Sequence, residues 1–157
     1  MTPIKTVSSV LLTFLLVLSG WEVCRAAALT GETVVNAVKA VKGKSPALEE
    51  KKALSTVTQN LTTAIFQKLG INPSTAPRDD VEELRGISLL TLKVLDAMTG
   101  DDQATLRKMS LDDLVAIALA VMTKVKELKV TDNNLKDEKY LQETFFPAVI
   151  DYLAQPR

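Results

Sequence analysis

From residue 29 onward the apolar positions of the chain recur three and four residues apart, and no stretch alternates at period two with hairpin-type turn pairs. That spacing predicts an all-α chain. A first helix is expected over 31–42, with Val34, Val35, Val38 and Val41 on one face and Gly43 ending it. It is short and valine-rich, so it needs tertiary packing to persist.

A second helix is expected to begin at Ser45-Pro46, where Ser can cap and Pro gives up a donor that would be unpaired anyway. Leu54, Val57, Leu61, Ile65 and Leu69 mark its apolar face, and Gly70-Ile71 has the form of a left-handed cap with a hydrophobic clasp. Pro73 and Pro77 then make 72–78 the clearest loop. The third helix should start at Asp79 or Asp80 and reach Met98, with more apolar positions than one narrow stripe requires. Residues 101–108 form a turn with room for a small helix.

The fourth has the best-marked start. Ser110 and Asp113 stand at the two positions of a capping box, with Met109 and Leu114 at the staple positions. Residues 114–122 contain no polar side chain, so the helix over about 111–129 is hydrophobic nearly all round. That pattern predicts a central helix surrounded by others. The last helix, 135–154, should be kinked or split by Pro147. Together these elements predict a compact bundle of five to six helices.

The N-terminus carries a different signal. Lys5 precedes the largely apolar run 7–18, and Ala26, Ala27 and Ala28 follow. Charge, a short apolar run and an A-x-A-like site describe a secretory signal peptide over 1–28, cut after Ala28 or, second, after Ala26. The run is short for a bilayer span, which needs about 20 apolar residues. The expected organisation is therefore a leader followed by one helical domain, 29–157, secreted or periplasmic and without stable membrane insertion after processing. The only cysteine, Cys24, would leave with the leader, so the domain must hold together without a disulfide.

Charge narrows the partners. The chain has 19 basic and 19 acidic residues. Removing Lys5, Glu22 and Arg25 leaves the rest one negative charge from neutral. Nucleic acid is not an expected partner, since counterion-driven binding needs a basic excess on one face. Lys39, Lys42, Lys44, Lys51 and Lys52 form the one basic cluster, which could meet an anionic partner or simply be solvated around Glu49 and Glu50.

Candidate chemistry is sparse. The chain has no histidine, and a processed chain has no cysteine, which removes the commonest general base, the thiolate nucleophile and the usual zinc and haem ligands. No cofactor is expected. The adjacent carboxylates Asp79-Asp80, Glu82-Glu83, Asp101-Asp102 and Asp112-Asp113 could serve a hydrolase only if two converged on one cleft. Three of these pairs fall at predicted helix starts, where acids suit the dipole. Asn60-Leu61-Thr62 matches a glycosylation sequon in mid-helix. The resulting expectation is a non-enzymatic exported protein that binds an unknown protein partner. A carrier of a small apolar ligand between helices is the second reading, and a carboxylate hydrolase the third.

The leader makes a definite prediction. Intact-mass analysis of protein recovered outside the cytoplasm should give a chain beginning at Leu29 or, second, at Ala27. Full-length protein in that fraction would refute the cleavage.

Overall fold

The computed structural model describes residues 29–155; the expected leader, with Cys24 and Trp21, lies outside them. Among the described residues there are seven helices, rather than the expected five to six, because the chain over 132–154 is divided in two, and no strand. Helix α1 spans Gly31–Lys42, α2 Leu48–Lys68, α3 Arg78–Thr99, α4 Gln103–Arg107, α5 Leu111–Glu127 and α6 Asp132–Lys136. Helix α7 begins as Glu138–Tyr140, widens into a π turn over Leu141–Phe145 and continues as Phe146–Ala154. No helix among the described residues is long and apolar enough to cross a membrane.

Local chemistry sets most boundaries. The Thr30 hydroxyl accepts from the Thr33 N–H at 3.2 Å and starts α1. At α5 the capping box closes in both directions: Ser110 Oγ accepts from Asp113 N–H at 3.1 Å, and Asp113 Oδ2 accepts from Ser110 N–H at 3.0 Å. Gly70, at φ 74°, ends α2 with the Ile71 N–H donating to the Phe66 carbonyl, the expected left-handed cap. Lys129 performs the same turn after α5 at φ 51°, with the Val130 N–H reaching the Val125 carbonyl.

Three expectations need correction. Ser45 does not cap α2: Ala47 remains extended after Pro46, and Glu50 reaches back to accept the Ala47 N–H at 3.2 Å, so the helix starts at Leu48. The C-terminal helix is divided at Asp137, not at Pro147, because the Asp137 carboxylate accepts from the N–H groups of Lys139 and Tyr140 and starts a new helix. Pro147 acts differently. It has no N–H to continue the ladder and its ring crowds the preceding turn, and the wider π turn lies immediately before it.

The third correction concerns the middle of the bundle. Helix α3 packs against α1, α2, α4, α5 and α7, whereas α5 packs mainly against α2, α3 and α7. Within α3, Ile87, Ser88, Leu90, Thr91, Leu92, Val94 and Leu95 are all buried. On α5, Leu114, Val115, Ile117, Ala118, Ala120 and Val121 are buried, but Ala116 is exposed. The helix with the unbroken apolar run thus keeps one stripe in solvent. One contiguous hydrophobic cluster nevertheless joins α1, α2, α3, α4, α5 and α7.

A backbone contact fixes α1 against the end of α4. A Cβ on Gly31 would lie 2.2 Å from the Arg107 carbonyl oxygen and 2.7 Å from its Cα, so only glycine fits. Gly86, in the interior of α3, has nothing within 4 Å of the same position. The two glycines should therefore respond with opposite signs. Gly31→Ala should destabilise by about 1–3 kcal/mol through overpacking. Gly86→Ala should stabilise by roughly 0.5–1 kcal/mol through helix propensity. Urea unfolding of both variants measures the pair, and stabilisation by Gly31→Ala would contradict the packing.

Candidate functional site

The exposed stripe of α5 forms the floor of a groove. Gly100, at φ 58°, turns the chain out of α3 just after Met98. Asp102 then caps α4, accepting the Thr105 N–H at 3.1 Å and the Thr105 hydroxyl at 2.5 Å. The chain passes Lys108 and Met109 and enters α5 at Ser110. Met98, Met109, Ala116, Ile117 and, from α7, Leu153 line an open groove of about 390 Å³, with Thr105, Lys108 and Asp113 at its polar margin. Met98 is 41% exposed.

The polar margin is largely committed to the helix starts. Asp113 closes the α5 capping box. The Thr105 hydroxyl and then its backbone N–H hold the Asp102 carboxyl below the usual carboxylate range, with Lys108 adding weaker Coulombic support. What the groove offers a ligand is therefore mainly apolar: two flexible methionines, an isoleucine, a leucine and a small alanine floor. Methionine side chains re-pack around differently shaped surfaces at low cost, which suits a contact face.

The expected basic cluster is not one patch of free cations. Lys42 Nζ lies 3.0 Å from Asp101 Oδ1 and 3.5 Å from Asp96 Oδ1, tying the end of α1 to the end of α3. Lys39 and Lys42 border one small cavity of about 130 Å³. Lys44, Lys51 and Lys52 are exposed on the α1–α2 turn and the start of α2, and Glu50 between them serves as a cap.

The acidic pairs serve helix starts or surface ion pairs. Asp79-Asp80 and Asp112-Asp113 lie in first turns, Asp101 meets Lys42, Asp102 caps α4, and Glu82 pairs with Arg78 at 3.4 Å. Among the described residues no three carboxylates converge closely enough to hold a metal ion.

Asn60 is only 3% exposed, inside α2, and its Oδ1 has no hydrogen-bond partner. That packing leaves no room for a glycan, so the sequon is corrected to a buried amide. Nearby, Thr62 Oγ1 and Ser88 Oγ meet at 3.0 Å across α2 and α3, while each also lies within reach of its own carbonyl four residues back. Each hydroxyl has one proton, so one of the two must release its carbonyl to make the bridge.

Lys42 gives this region a pH signature. The hydrogen bond to Asp101, then the charges of Asp96 and Asp101, raise its pKa above 10.5. A raised folded-state value stabilises fully below the unfolded value and is lost as the pH rises through the folded one. The stability difference between wild type and Lys42→Met, read from urea midpoints, should therefore be present at neutral pH. It should fade above 10.5.

No protein-family model matches the chain, and comparison with curated proteins and with solved structures finds no match.

Proposed function

We propose that this chain is an exported, non-enzymatic helical-bundle protein that binds another macromolecule through the groove of Met98, Met109, Ala116, Ile117 and Leu153. The carrying observation is the shape and chemistry of that groove: about 390 Å³, apolar, and open along one side. Exposed apolar grooves with a polar rim are the usual mark of an interaction surface. The export part of the reading rests on the leader pattern in residues 1–28, and the macromolecular part on the groove.

A carrier of a small apolar ligand would use the same residues. Such sites bury about 70–90% of a small ligand's surface. An open trough favours a side chain or helix face presented by a larger partner over an enclosed lipid. The acidic pairs offer a hydrolase little, since Asp102 and Asp113 are used as caps, Asp101 and Glu82 in surface ion pairs, and Asp79, Asp80, Glu83 and Asp112 are exposed on different helix starts and faces.

Ala116 supplies the test, because it is exposed on a helix and at the groove floor. Ala116→Glu should leave the melting temperature within a degree or two, since surface substitutions usually cost less than about 0.5 kcal/mol. It should weaken partner binding at least about tenfold. C-terminally tagged wild type, Ala116→Glu and the exposed control Glu83→Lys are compared by quantitative pulldown. A partner kept by the control and lost with Ala116→Glu supports the groove. The same partners recovered with all three would remove it, and native mass spectrometry showing a co-purified lipid would favour the carrier.

A further inference from the structure

The groove is also where the chain brings oxidisable sulfur to the surface. The chain has four methionines and one cysteine. Met1, Trp21 and Cys24 all fall in the leader, so a processed chain keeps only the thioethers of Met98, Met109 and Met122. Met98 and Met109 line the groove. With no thiol to compete, a thioether is the group that a two-electron oxidant such as a peroxide attacks first.

The three sulfurs are not equivalent. Met109 and Met122 are half-buried and pack against the hydrophobic cluster. Met98, in the last turn of α3, is 41% exposed and takes no part in that cluster. An oxygen added to Met109 or Met122 would set a polar sulfoxide against core side chains, which is costly. An oxygen added to Met98 meets solvent and leaves the packing of α3 as it is.

We propose that Met98 is an oxidation site through which a peroxide closes the groove to its partner. This rests on the reading of the groove as the contact surface of an exported chain, since compartments outside the cytoplasm are the oxidising ones. A sulfur lone pair attacks one peroxide oxygen. The S–O bond forms as the O–O bond breaks, and the attacked oxygen passes its proton to the departing hydroxide. The thioether is oxidised by two electrons to a sulfoxide, and hydrogen peroxide is reduced to water. The sulfoxide oxygen is a strong acceptor that water satisfies while the groove is open. A partner laying an apolar face on it strips that water and supplies no donor, leaving an unpaired polar group at the contact. The same change replaces a flexible apolar side chain, which re-packs around a partner, by a polar one.

The purified full chain is treated with hydrogen peroxide at neutral pH, quenched with catalase, mapped by peptide mass spectrometry and then used in the pulldown. Met98 should oxidise at least about fivefold faster than Met109 and Met122, in keeping with its exposure. The melting temperature at that stage should stay within about two degrees of the untreated value. The partner lost with Ala116→Glu should bind the oxidised wild type about tenfold more weakly. Met98→Gln, a polar side chain of similar length, should reproduce that loss without peroxide, and Met98→Leu should keep the partner after treatment. Oxidation of Met98 no faster than that of Met122 overturns the proposal. So does capture of the partner by oxidised wild type at full strength, an outcome that leaves the groove itself standing. Equal loss in peroxide-treated Met98→Leu overturns it as well, by placing the sensitive sulfur elsewhere. A partner insensitive to Ala116→Glu removes the groove and the oxidation effect together.

Discussion

The structure depends on burying the second half of α3. Leu92, Val94 and Leu95 there are fully enclosed, and so are Ser88 and Thr91. Two hydroxyls in such a place would normally be a liability, because an unpaired buried polar group costs about 1–3 kcal/mol. Here Ser88 Oγ lies 2.9 Å from the Leu84 carbonyl and Thr91 Oγ1 2.8 Å from that of Ile87, so the helix itself supplies both acceptors. Their small volumes leave space for neighbouring helices to approach. A helix with leucines on every side would bury more apolar area but hold its neighbours further away.

The open groove follows from that arrangement. Once α3 is the element surrounded by α1, α2, α4, α5 and α7, helix α5 is left with fewer neighbours. Its alanine at position 116 can face water at little cost, since a single methyl group is all that is exposed. Met98 and Met109 flank this gap at the end of α3 and before α5, so the chain segment that connects two core helices also shapes the surface between them. The close approach of Gly31 to the Arg107 backbone fixes α4 from the opposite side, and the Arg107–Glu32 ion pair at 3.0 Å adds a surface contact of modest worth.

The ion-paired cluster of Lys42, Asp96 and Asp101 also lies at the C-terminal end of α3. Lys42 comes from α1, and Asp96 and Asp101 from the end of α3 and the turn just after it, and they meet only because α1 and α3 end beside each other. Glu138 and the π turn reach the same place from far along the chain. Nothing in the local sequence around Lys93 or Asp96 distinguishes them from other charged positions on a helix. The buried amide of Asn60 illustrates the same limit: a polar letter in a sequon gave no sign of its enclosure between helices.

The sequence by itself determined the helices and many of their ends. The bounds of α1, the Ser110–Asp113 box and the Gly70 turn were legible because each rests on bonds spanning no more than about five residues. Apolar spacing likewise marked Val57, Leu61 and Ile65 as core. Which helix lies in the middle was decided only by the tertiary structure. Hydropathy favoured α5 because it counts alanine as buried and serine or threonine as exposed. Ala116 faces water and Ser88 and Thr91 do not, because burial is set by what packs alongside, and a hydroxyl bonded to its own helix no longer needs water.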